Sequence, residues 1–131
     1  QCVQSAILLQ SAELATDEDL AAIESAIAKA EALRLSPDEF ALAAMSCNQA
    51  EVDAAHNHVL SVTMSAILFS LATKVSKTTT PIIADFVLKH HRSMLAALRQ
   101  RDGVKAQQLF KRHMKKVWDA YFNGVDVTET E

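Results

Sequence analysis

Residues 90–113 read HHRSMLAALRQRDGVKAQQLFKRH, and this stretch decides the fold. Asp102-Gly103 interrupts a helical pattern and sets a turn between two helices. His91 lies eleven residues before Asp102 and His113 eleven residues after it. In an antiparallel pair hinged at that turn, both imidazoles stand at one height, about 16 Å from the hinge at a rise of 1.5 Å per residue. Both also point inward. His91 shares a stripe with Val87, Met94, Leu95 and Leu98, and His113 shares one with Leu109, Phe110 and Val117.

The same periodicity extends outward in both directions. The helix after the turn ends at Asn123-Gly124, and the helix before it opens at Pro81. Ser76-Lys77-Thr78-Thr79-Thr80-Pro81 is the most polar break in the chain and reads as a loop. Upstream, Asn48 with Glu51 three residues later resembles a capping pair and opens a helix to about Lys74. Ser36-Pro37-Asp38-Glu39 starts a shorter helix with Pro at its favoured first position. Thr16 before Asp17, Glu18 and Asp19 caps a helix in which Leu20, Ile23, Ile27, Ala30 and Leu33 recur as far as Arg34. A first helix spans about Val3 to Leu14. No alternating stretch is long enough for a strand. The pattern predicts an all-α antiparallel helical bundle of about six helices, with residues 1–124 as the domain and residues 125–131 as a tail.

Composition agrees. Across 131 residues there are two Gly and two Pro, half the chain is apolar and only 5% is aromatic, so the core is aliphatic and no Gly-rich phosphate loop exists. A net charge of −3 gives no broad basic field for nucleic acid. No apolar run reaches the roughly 18 residues of a membrane span. Cys2 and Cys47 form no C-x-x-C motif and no disulfide framework, which fits a reducing cytoplasm. An opening at Gln1, without initiator Met or signal peptide, suggests a piece of a longer protein.

All five histidines follow Asn48. Two inward imidazoles at one level can meet around a single ion. Asp53 and Asn57, spaced i, i+4 above Leu60, Met64 and Leu68, offer oxygen ligands from the helix opened by Asn48. A carboxylate on an apolar stripe needs neutralising, and a divalent cation between Asp53, Asn57, His91 and His113 would neutralise it. His56 and His90 are alternative ligands or supporting groups, while His58 faces the surface. The bland alternative is that these histidines edge the core, hydrogen-bonded to backbone or water, with Asp53 paired to Arg92 or Lys89.

The stretch from His90 to His113 resembles the end of the FadR C-terminal (FCD) ligand-binding domain of GntR-type bacterial transcription regulators. That family carries a histidine, an Ala-Leu…Arg-Asp turn, matched here by Ala97-Leu98 and Arg101-Asp102, and a second histidine 22 residues after the first. ELATDEDLAAIESAI, from Glu13 to Ile27, is similar to the family's second helix, and DAAHNHVL, from Asp53 to Leu60, to its Asp-x-x-Phe-His helix. Asn57 stands where the family has histidine, His56 replaces the preceding aromatic, and the family's small-residue–Asn break is not evident near Ser65-Ala66. The Asn57–His91 stretch is shorter than usual for the family.

The resemblance implies an effector sensor in which a divalent metal, zinc or nickel first and manganese or iron next, helps hold a small carboxylate in the bundle. It implies a cytoplasmic homodimer whose DNA contacts come from an N-terminal winged-helix domain absent from this sequence. Arg92, Arg112 and Thr63 are candidate contacts for the carboxylate. Relatives that bind an acyl-CoA without metal supply an alternative, and a purely structural dimerisation module is a third. Catalysis is not expected. There is no His-Glu-x-x-His, no paired Glu-x-x-His and no evident nucleophile–base pair, and no membrane partner is expected.

Overall fold

A computed structural model describes residues 2–124, and all the regular structure among them is helical. The six helices are α1 (Cys2–Leu14), α2 (Asp17–Ala32), α3 (Pro37–Asp53), α4 (His58–Thr78), α5 (Pro81–Arg99) and α6 (Gly103–Asn123). The expected tail at 125–131 lies outside the described residues. Local chemistry fixes most ends. Thr16 and Asp19 form a reciprocal capping box at α2, the Thr80 side chain accepts from Ile83 N at α5, and Asp102 accepts from Lys105 N at α6. Gly124, left-handed at φ 68°, closes α6.

Short connections fold α2 onto α3, α3 onto α4 and α5 onto α6, while α1 lies along α6. Helix α5 touches α1, α2, α3 and α6 and forms the centre of the bundle. Its buried Ala84, Val87, Leu88, Met94, Leu95 and Leu98 join Leu8, Ile23, Phe40 and Phe110 in one core. Gly103 opens α6 at a close approach. A Cβ there would stand 2.9 Å from Leu9 Cδ2 and 3.3 Å from Leu9 Cα, so a larger residue would have to push the Leu9 side chain aside and crowd α1. The side chains of Arg101 and Gln107 tie the same two helices, donating to Ala15 O at 2.5 Å and to Ser5 O at 3.0 Å.

Three expectations need correcting. No helix starts at Asn48: its amide donates to Ala44 O inside α3, which runs unbroken from Pro37 to Asp53. The chain breaks instead at residues 54–57, where His56 adopts φ 55° and the Asn57 side chain accepts from Leu60 N to cap α4. The polar loop at Ser76–Pro81 shrinks to Thr79 and Thr80, because α4 continues to Thr78. The same α4 is also long and apolar enough to cross a membrane, with a mean hydropathy of 1.6 over an 18-residue window. Interspersed Ser and Thr break the apolar run that the sequence reading looked for, while the aliphatic residues keep the average high.

Candidate functional site

Facing stripes of α3, α5 and α6 meet in a cluster of ionisable groups. On α3, Phe40, Ala44, Cys47 and Glu51 fall at intervals of four, three and four residues, and all four are buried. Glu51 thus extends an apolar stripe. Its carboxylate finds one partner inside the protein: Oε2 lies 2.6 Å from Nδ1 of His91 on α5, with both side chains only 1% exposed. Ser11 Oγ on α1 also donates to Glu51 O at 2.7 Å, which pins this turn of α3 from the other side.

In the neutral form of His91, the hydrogen shared with Glu51 lies on Nδ1 and Nε2 presents a lone pair. That Nε2 is buried without a partner. His90, the neighbouring residue on α5, turns toward α6 and stacks on His113, with ring centroids 3.8 Å apart and planes within 10°. His113 is sandwiched by Phe86 on its other side at 5.3 Å. His90 Nε2 and His113 Nδ1 are likewise buried and unpartnered.

Burial holds both stacked rings neutral. It pushes His113 down to about 3 and drives His90 well below the ordinary histidine range, and crowding of the neighbouring histidines adds to the cost of a positive charge on either ring. Burial also raises the Cys47 thiol to about 12, with the Glu51 carboxylate one turn away adding to the effect. Cys47 is therefore a protonated core side chain and no nucleophile.

Of the residues singled out in the sequence, His90, His91 and His113 come together. Centroid separations of 5.0 Å for His90–His91 and 6.3 Å for His91–His113 place the three rings in one nest. Asp53 and Asn57 are not brought to them. Asp53 ends α3 at the surface and accepts from Gln49 Nε2 at 2.8 Å, and Asn57 is occupied as the cap of α4. These two were expected to share a helix face, but the break at residues 54–57 separates them. His56 pairs with Asp19 at 2.6 Å, and with Asp53, Asn57 and His58 it lines an open groove of about 600 Å³. Arg92 pairs with Glu31 on the α2 side at 2.6 Å, and not with Asp53. Thr63 donates back to Val59 O at 2.8 Å on an exposed turn, and Arg112 is exposed.

Sequence reasoning missed Glu51, the carboxylate that does reach His91. The sign was present: a Glu continuing the Phe40-Ala44-Cys47 stripe. It was read instead as the third residue of a cap at Asn48.

The donors suit a cation of borderline softness, since three imidazoles are available and one is fixed by a carboxylate in the manner usual for ligating histidines. Their arrangement is not that of a closed site. Ring lone pairs lie in the ring plane, so the parallel rings of His90 and His113 cannot both aim at one point. No group of three or more His, Cys, Asp or Glu side chains among the described residues is disposed to hold a metal ion.

A groove of about 730 Å³ runs between α1 and α6. Phe110, Met114 and Trp118 give it an apolar floor, and Lys111 and Lys115 give it positive charge.

Comparison with known proteins returned a match to one family model, described as FCD domain, over residues 2–116. No curated protein and no solved structure matches the chain.

Proposed function

The chain belongs to the FCD family, the FadR C-terminal domain of GntR-type regulators, and on that premise we propose that its histidine nest senses a small carboxylate with the help of a divalent cation. The family is one of effector-binding regulatory domains and not of enzymes. DNA contact would then belong to a winged-helix domain elsewhere in the full-length protein, acting as a cytoplasmic homodimer.

The observation that carries the metal is the set of three buried ring nitrogens without partners, His90 Nε2, His91 Nε2 and His113 Nδ1. A buried donor or acceptor left unmade costs about 1–3 kcal/mol, so three in one nest point to a ligand that the nest is built to receive. His91 and His113 would hold the ion, and His90 would leave its stack to join or make room. Glu51 takes the carboxylate role expected of Asp53 by fixing the His91 ring. Imidazole donors favour zinc or nickel over manganese or iron. The bound cation would supply positive charge to anchor the effector carboxylate.

Metal analysis of protein purified without chelator or metal resin tests this reading, beside titration with zinc or nickel. About one ion per chain is expected, and its loss in a His91→Ala/His113→Ala variant. No metal in either protein and no uptake on titration would reject the cation. A metal-free acyl-CoA-type sensor or a structural module would then lead.

A further inference from the structure

Helix α4 is unfinished by the fold. It packs chiefly on α3, through Met64, Leu68 and Ala72, and only 17% of its most apolar window is buried. On the opposite side Val59, Val62, Ala66, Phe69 and Thr73 recur at steps of three and four residues. Val59 is 72% exposed, Val62 58% and Phe69 73%, and Ile67 and Leu71 are exposed beside them. From Val59 to Thr73 there is no charged residue. A helix that is apolar all round is normally covered all round. Together these side chains expose on the order of 500 Å² of apolar surface, at the upper end for a monomer and, with a polar rim, near what one partner of a stable dimer buries.

We infer that this face of α4 is the contact between two copies of the chain, packed helix against helix about a twofold axis. The stripe is close to symmetric about Ala66. In an antiparallel pair centred there, Ala66 permits close approach on the axis, Val59 lies opposite the second copy's Thr73, and Val62 comes within one residue of its Phe69, so each of these two contacts occurs twice. A stripe without charge offers nothing to select a partner of opposite sign and nothing to repel its own copy. A lipid bilayer suits the composition less well than a copy does, because α4 is tied to α3 by polar groups. Gln49 Nε2 donates to Ser61 O at 3.0 Å, and Ser76 Oγ donates to Asp38. Those groups would enter the hydrocarbon with it.

This deepens the proposed homodimer and rests on it. Sedimentation of the 131-residue chain should give twice 14.3 kDa for the wild type. A Val62→Glu/Phe69→Glu variant should give the single-chain mass with unchanged far-ultraviolet helicity. Val59→Lys, at the edge of the face, should weaken dimerisation at least about tenfold, and it decides the matter if the double variant does not fold. A dimer that survives these changes rejects the α4 interface and leaves the proposed homodimer standing. A monomeric wild type at about 100 μM rejects both. A monomer that floats with phosphatidylglycerol vesicles replaces the second copy by a membrane surface.

Discussion

Glu51 shows how one residue redirects a site. Its pairing with His91 at 2.6 Å, both side chains sealed from water, makes the two ring nitrogens of that histidine unequal: one is engaged and the other is left available. Removing one member of a buried pair strands the other, at a cost of about 3–5 kcal/mol. Glu51→Ala should therefore lower the urea-unfolding free energy by about that amount at pH 7. Glu51→Gln, which keeps an acceptor for the imidazole N–H, should lose less than half as much. Equal losses from the two variants would mean that the carboxylate acts by filling space alone. The sequence reading had a physical reason to overlook this residue. An Asn followed three positions later by Glu is the same pattern whether the Asn caps a helix or bonds back to its own preceding turn, as Asn48 does to Ala44.

Among the elements, the two helix ends that use left-handed residues other than glycine were the hardest to foresee. His56 and Arg101 take φ of 55° and 58° at positions where glycine would have announced the turn. At the second of them Asp102 still marked the boundary, so the α5–α6 hairpin was legible and with it the common level of His91 and His113. At the first, nothing in Ala54-Ala55-His56-Asn57 distinguishes a break from a continuing helix, and the sequence pattern runs one helix, from Asn48 to about Lys74, straight across it. Asn57 is the device that restarts the chain there. Asn57→Ala should destabilise the domain by about 1 kcal/mol and Asn57→Asp by much less, since aspartate caps as well as asparagine does. Thermal unfolding distinguishes this from a ligand's role. A pure cap leaves the metal stoichiometry of both variants unchanged, and a change in stoichiometry would contradict the role assigned to Asn57.

For the molecule as a whole, the histidine nest makes stability depend on acid. An unfolded histidine titrates near 6.5, whereas His113 in the fold is held to about 3. Between those values the unfolded chain binds the extra proton, so this stabilisation is complete above pH 6.5 and is lost as pH falls toward 3. The loss is about 1.4 kcal/mol per pH unit for one such group. His90, lowered in the same direction, steepens it. The urea midpoint should be level from pH 7 to 8 and fall steadily from 6 to 4, with a shallower slope in His113→Gln. A flat profile over that range would show that the rings are not buried neutral. Helix faces told the sequence reading that His91 and His113 point inward. They did not tell it that His90, one residue away, stacks on His113, because that depends on how far α5 is turned within its neighbours.

That turn has a mechanical meaning. His90 and His91 are consecutive, so they leave α5 about 100° apart, one reaching α6 and the other α3. The helix is geared to both neighbours at the same height, like a spindle between two racks. A ligand that gripped either ring would bear on α5, and through it on the helix that the other ring touches.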